Sequence, residues 1–135
     1  VTPFFLIDAS VWIAAESPEE RFAMPARELI IDSDRRLAAL DLTLYEVANA
    51  IGARRGDVVG AAAACRSVLR RCEDSLVRIE VGMIEATAEI AVEHDLSVYD
   101  AAYVAVARRH DWTLVRTDIR DLVSKGLAVT PDAAV

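Results

Sequence analysis

The four residues Phe4-Phe5-Leu6-Ile7 run without a polar interruption and then stop on Asp8. A short, uninterrupted apolar run of β-branched and aromatic type reads as a strand buried in a core. Ser10 and a helical apolar pattern over residues 10–15 follow at once. The chain therefore turns from strand to helix within two residues and leaves a carboxylate at the turn. Asp8 has no cationic neighbour in the adjacent sequence, so its partner is expected to be an ion that the chain itself does not supply.

The same alternation continues. A helical stripe of Ala23, Ala26, Leu29 and Ile30 lies within residues 21–31, and a second apolar strand is expected over 37–40. Leu44, Val47, Ala48 and Ile51 share one face of a helix over 44–53. A longer helix over 58–71 follows Gly56-Asp57. Residues 76–81 alternate as a strand does, residues 84–94 and 99–110 are helical, and residues 113–115 form another strand. A short helix over 119–124 and a last short strand over 127–129 complete the pattern. Strands alternating with helices imply an α/β fold with a short, mainly parallel central sheet between helical layers. Gly52, Gly56 and Gly60 recur every fourth residue, which fits a turn or a close helix contact.

At 135 residues, with 54% hydrophobic and 27% charged residues, the chain is expected to form one domain over 1–135 with a substantial core. No apolar run approaches the roughly 18 residues of a membrane span. The opening Val1-Thr2-Pro3 lacks the basic region and cleavage pattern of a signal peptide, so a cytoplasmic location is expected. Cys65 and Cys72 lie about two helical turns, roughly 10 Å, apart, too far for a disulfide within one helix. Without a CxxC pair or paired histidines they read as ordinary thiols, not zinc ligands. His94 and His110 fall near helix C-termini, where the dipole favours a cation.

A net charge of −7 argues against nonspecific binding of a polyanion. Basic pairs at Arg35-Arg36, Arg54-Arg55, Arg70-Arg71 and Arg108-Arg109 leave local patches available. Phosphate-cradling GxxxxGKS/T and GxGxxG loops are absent. Asp8-Ala9-Ser10 is not the Asp-x-Asp of a haloacid-dehalogenase phosphatase.

Four acids stand where a parallel sheet binds ligands, outside the carboxyl ends of its strands. Asp8 ends the first strand and Asp118 follows the strand over 113–115. Glu46 and Asp100 fall in the first turns of helices. Each has a structural explanation too. Thr43-x-x-Glu46 and Ser97-x-x-Asp100 resemble capping boxes, and Asp8 and Asp118 can cap the helices that follow them. If the four converge, mutual repulsion raises the cost of ionisation unless a cation shares the site. A hard divalent ion such as Mg²⁺ or Mn²⁺ suits such a set of oxygen donors.

The segments FFLIDASVWIAA, LTLYEVANAI, LSVYDAAYVAVARRH and TLVRTDIRDL together resemble the PIN domain, specifically the VapC-type toxins of bacterial toxin–antitoxin pairs. The resemblance spans nearly the whole chain, and it implies a three-layer α/β/α fold. It places the family's acids on Asp8, Glu46, Asp100 and Asp118, with Asp121 an alternative for the fourth because the spacing to the following Leu departs from the usual pattern. It further implies a Mg²⁺- or Mn²⁺-dependent endoribonuclease, with Asp8 and Asp100 the main metal ligands and Glu46 and Asp118 completing the cluster. Water attack would leave a 5′-phosphate and a 3′-hydroxyl. Ser10, Asn49 and Thr117 would orient ligands or the phosphate, and Arg116 and Arg120 flank the fourth acid as RNA-binding candidates. The implied partners are RNA, a cognate VapB-type antitoxin and a second copy in a homodimer. Val11, Trp12 and Phe22 belong either to the antitoxin groove or to the core. The rival reading is a PIN-like module that binds RNA or protein without cutting.

Overall fold

The computed structural model describes residues 3–135; Val1 and Thr2, on which much of the signal-peptide reading falls, lie outside the described residues. Four parallel strands form the sheet: β1 (Phe4–Ile7), β2 (Arg36–Leu40), β3 (Leu76–Val77) and β4 (Thr113–Val115), in the order β3-β2-β1-β4. The central strand β1 pairs Phe5 with both Leu37 and Thr113.

Successive side chains of a strand point to opposite faces, and the two cores divide accordingly. Phe5, Ile7, Leu37, Ala39 and Val115 face a layer made of α1 (Ala9–Ala15), α2 (Ala23–Ile31), α3 (Asp41–Ala48) and α4 (Val58–Arg71). Leu6, Ala38, Leu40 and Leu114 face α5 (Ile84–His94) and α6 (Val98–His110). The expected three-layer α/β/α arrangement is therefore present. A short α7 (Pro131–Ala134) returns to the first layer, where Ala134 is buried.

Val11, Trp12 and Phe22 are all buried, so core packing accounts for them and they do not line an open groove. Arg71 holds the end of α2 to the start of β2: its guanidinium donates to the carbonyls of Ile30, Asp32 and Arg35 at 2.6–2.8 Å. Both α5 and α6 end on a left-handed aspartate, Asp95 (φ 54°) and Asp111 (φ 56°), where glycine is the common choice. The next amide in each case donates back to the helix, Leu96 to Ala91 and Trp112 to Ala107, both at 2.9 Å.

Several expected boundaries shift for identifiable reasons. The strand expected over 76–81 pairs only at Leu76 and Val77. Its neighbour β2 ends at Leu40 because α3 starts at Asp41, and the Ile79 amide donates instead to the Asp41 carboxylate at 3.1 Å. The last strand shrinks to one bridge between Val129 and Val115. The helix over 44–53 begins earlier, at Asp41, and widens into a π-helical turn over Asn49–Arg54. A second π-helical turn occupies Ile119–Val123. Gly52 sits against α4, where a Cβ would lie 3.2 Å from the Ala61 Cβ, and Gly56 takes a left-handed φ of 69° between the π-helical turn and α4. Cys65 and Cys72 are free thiols, and burial pushes Cys72 up to about 12. No helix among the described residues is long and apolar enough to cross a membrane.

Candidate active site

Asp8 leaves the sheet at the end of β1 in an extended conformation (φ −66°, ψ 154°) and caps α1. Its amide still donates to the Val115 carbonyl at 3.0 Å, so the pairing with β4 continues through it. Its Oδ2 accepts from the Ser10 amide at 2.8 Å. The capping role and a place in the site coexist, because capping uses one carboxylate oxygen and leaves Oδ1 free.

Asp8 does have a cationic partner, and it comes from far along the chain. Arg116, just past β4, turns inward and is only 12% exposed. Its Nη1 lies 2.7 Å from Asp100 Oδ1 and 3.4 Å from Asp8 Oδ1, and its Nη2 lies 3.6 Å from Asp118 Oδ2. Asp8 thus has a partner within the chain as well, which its adjacent sequence does not show. Adjacent sequence could not reveal the pairing, because parallel strands β1 and β4 bring together residues 108 positions apart.

Asp100 stands in the first turn of α6. The Ser97 hydroxyl caps that helix by accepting from the Asp100 amide at 3.1 Å, and the carboxylate remains free to reach Arg116. Asp118 caps the second π-helical turn, accepting from the Arg120 amide at 3.0 Å, and offers its other oxygen to Arg116. Asp121 makes no hydrogen bond or ion pair with these groups among the described residues, and the Arg120 side chain is exposed.

Glu46 is reached differently from the expectation. Because α3 begins at Asp41, Thr43 is the third residue of the helix and not its N-cap, and Glu46 lies in the second turn. Thr43 Oγ1 accepts from the buried Leu40 amide at 3.1 Å. Its own proton then goes to the Tyr103 hydroxyl at 2.7 Å, and Tyr103 donates in turn to Glu46 Oε1 at 2.7 Å. This relay from the end of β2 through α6 fixes the direction of the Glu46 carboxylate. Tyr103 and Thr43 are site residues that the sequence pattern of acids does not include. The signal was available: Tyr103 follows Asp100 by three residues and so shares its helix face.

Burial raises the pKa of Asp8; Arg116 and the Ser10 contacts oppose that rise, and Asp100 adds to it. Burial also raises Glu46, against the Tyr103 hydrogen bond, and repulsion from Asp8 and Asp100 contributes. Burial disfavours the charge on Arg116, yet Asp8, Asp100 and Asp118 outweigh it and its pKa rises. Tyr103 is held well above the ordinary tyrosine value, first by burial and then by Asp8 and Glu46, so it stays a donor.

A cavity of about 240 Å³ opens beside these groups, lined by Asp8, Ser10, Glu46, Asn49, Arg54 and Arg116 among others. It shares Ser10 and Arg54 with a neighbouring cavity of about 310 Å³ that Arg55 and Thr117 also line. Ser10 Oγ accepts from the Thr117 amide at 3.1 Å and ties the loop after β4 to α1. A larger cavity of about 580 Å³ lies elsewhere, around β3 and α6; it is mostly apolar and none of the four acids lines it.

The donor set consists of hard carboxylate oxygens, which is the chemistry a Mg²⁺-type ion requires. Three of the carboxylates already share one largely buried cation, the guanidinium of Arg116. The donors therefore fit a cation, and Arg116 stands in for one. Among the described residues no three His, Cys, Asp or Glu side chains are arranged to hold a metal ion; Asp8, Asp100 and Asp118 converge on Arg116 instead.

Comparison with known proteins gives the family of the chain. The family model described as "PIN domain" matches residues 5–124. Exonuclease VapC9 of Pyrobaculum aerophilum is 33% identical over 123 residues, covering 90% of this chain and 84% of that protein. Ribonuclease VapC3 of the same organism is 34% identical over 142 aligned positions, covering 93% and 98%. The crystal structure of VapC20 from Mycobacterium tuberculosis, a sarcin-ricin loop cleaving toxin, superposes with a TM-score of 0.74 at 21% identity over 90% of this chain and 94% of that one. The chain belongs to the PIN domain family.

Proposed function

We propose that this chain, as a single PIN-like domain over residues 1–135, is a VapC-type toxin: a metal-dependent endoribonuclease that hydrolyses RNA phosphodiester bonds. The observation that carries the reading is the convergence of Asp8, Asp100 and Asp118 on one largely buried cation, with Glu46 lining the adjoining cavity. The names of the two Pyrobaculum relatives, an exonuclease and a ribonuclease, support its nuclease part.

Asp8 and Asp100 would hold Mg²⁺ or Mn²⁺, with Asp118 and Glu46 completing the set directly or through water. The chemistry such an ion supplies when bound is a lower pKa for water and relief of charge on the scissile phosphate. Glu46, raised in pKa and aimed by Tyr103, is suited to take the proton of the attacking water. Ser10 fixes the loop carrying Thr117, and Asn49 faces the cavity from the π-helical turn. Arg54 lines both cavities and is exposed, so it is placed to hold an RNA phosphate beside the acids, with Arg55 next to it.

The toxin reading carries its partners with it: a cognate VapB-type antitoxin and a second copy of the chain in a homodimer, acting in the cytoplasm. Exposed Ile79, Ile84, Val98 and Tyr99, which line the 580 Å³ cavity, are consistent with a covered apolar surface.

A non-catalytic PIN-like RNA- or protein-binding module is the second reading, favoured by the presence of Arg116 inside the acidic cluster. Mapping the 5′ ends of cellular RNA after induced expression, beside Asp8→Asn, separates them. New internal 5′ ends that depend on Asp8 support the endonuclease; progressive shortening from termini indicates an exonuclease, and an unchanged RNA population the binding module.

A further inference from the structure

We propose that Arg116 is a resident counter-ion that competes with the divalent metal: it occupies the place between Asp8 and Asp100 in the metal-free protein and must swing out before the metal binds. The inference rests on the metal-dependent reading above.

Three observations lead there. The guanidinium lies within 3.4 Å of Asp8 and 2.7 Å of Asp100 and within 3.6 Å of Asp118, so it uses oxygens a metal would need. A metal ion and the guanidinium would compete for the same Asp8 and Asp100 oxygens, and their mutual repulsion in a site this buried is weakly screened. Next, the Arg116 side chain makes no other hydrogen bond or ion pair among the described residues. Its Nε is buried without a hydrogen-bond partner, so the carboxylates alone attract the guanidinium. A metal that takes the carboxylates therefore removes the one attraction that keeps the guanidinium inside. Finally, there is somewhere to go. The backbone is pinned, with the Arg116 amide donating to the Val129 carbonyl at 2.9 Å, but the side chain borders the 240 Å³ cavity that continues past Ser10 and Arg54.

The arrangement has a use. A metal-free cluster of buried carboxylates destabilises the fold through desolvation and mutual repulsion. Arg116 offsets part of that charge, so the chain folds before it is loaded. The consequence is weaker apparent metal binding. An apparent affinity falls by the fraction of molecules in the competent state, so an arginine resident about 90% of the time weakens it about tenfold.

The test is Mn²⁺ binding to the full chain by calorimetry, without RNA, for wild type, Arg116→Ala, Arg116→Gln, Arg116→Lys and the double variant Asp8→Asn/Arg116→Ala. The Ala and Gln variants should bind Mn²⁺ about tenfold tighter or more, the Lys variant should stay near wild type, and the double variant should lose the gain. Equal or weaker binding by both Ala and Gln overturns the inference. RNA cleavage by the wild type in the same Mn²⁺ buffer is scored separately, so the nuclease reading survives that result if cleavage is seen. No Mn²⁺ binding in any protein would sink both. A measurement on the wild type alone guards against misfolded variants: Mg²⁺ should shift the ¹⁵Nε–H resonance of Arg116, and an unchanged resonance at Mg²⁺ concentrations that support cleavage overturns the inference.

Discussion

Replacing Tyr103 with Phe removes one oxygen from the interior and breaks a relay of fixed direction. Tyr103 is fully buried, and its hydroxyl lies 2.7 Å from both Thr43 Oγ1 and Glu46 Oε1. The Leu40 amide already donates to Thr43, so the Thr43 proton has only Tyr103 as its acceptor in this relay. A hydrogen bond to a charged group contributes about 1.5–3 kcal/mol, and a buried donor left unpaired costs about 1–3 kcal/mol. Glu46 is half-buried and regains some water, which offsets part of the loss. The expected destabilisation is about 3 kcal/mol, a large share of the roughly 5–15 kcal/mol typical of a domain. Thr43→Val breaks the same relay from its other end, so the two changes are not independent. The double variant should fall short of the sum of the singles by about 1 kcal/mol. Urea unfolding followed by circular dichroism measures all three, with the slope checked for two-state behaviour. Because Tyr103 aims Glu46, the Phe variant should also cleave RNA more slowly. A loss below about 0.5 kcal/mol, or additivity within about 0.3 kcal/mol, would refute the relay.

Other consequences are testable with ordinary variants. Asp8 has its pKa raised in the folded state, chiefly by burial against the pull of Arg116, so between the ordinary carboxylate value and the raised one the folded chain binds more protons than the unfolded chain. The resulting loss of stability is absent below the ordinary value and complete above the raised one. The stability of Asp8→Asn relative to wild type, measured with EDTA at acid and neutral pH, should therefore improve as pH rises; a gap that stays constant refutes the assignment. Asp118→Asn should reduce RNA cleavage heavily and Asp121→Asn should not, since only Asp118 reaches Arg116; the opposite order moves the fourth acid to Asp121. Arg54→Ala should raise KM for RNA with little change in kcat and reduce the salt dependence of binding by about one phosphate contact, and a fall in kcat alone would remove Arg54 from substrate holding.

Much of this architecture is legible in local sequence because each element carries its own signal. Phe4 to Ile7 form an apolar run that buries Phe5, Leu6 and Ile7, and the helices expected over 58–71 and 84–94 appear with those bounds. What local sequence lacks is knowledge of neighbours. The strand at Leu76 stops after two residues because β2 ends first, a fact of pairing and not of composition. The apolar stripe starts only at Leu44 because Asp41 and Thr43 are polar, whereas α3 begins at Asp41 and Thr43 is its third residue. The acids were visible as a set because all four fall at the carboxyl ends of strands or in the helices beyond them. Arg116 stood two residues before Asp118, yet only the β1–β4 pairing brings it against Asp8.

The most direct test is cleavage of RNA by the purified chain in Mg²⁺ or Mn²⁺, with EDTA and Asp100→Asn run in parallel and the folding of that variant verified. Internal cleavage by the wild type that stops with EDTA and is lost in Asp100→Asn is the predicted result. Cleavage that persists in Asp100→Asn or in EDTA would contradict the account.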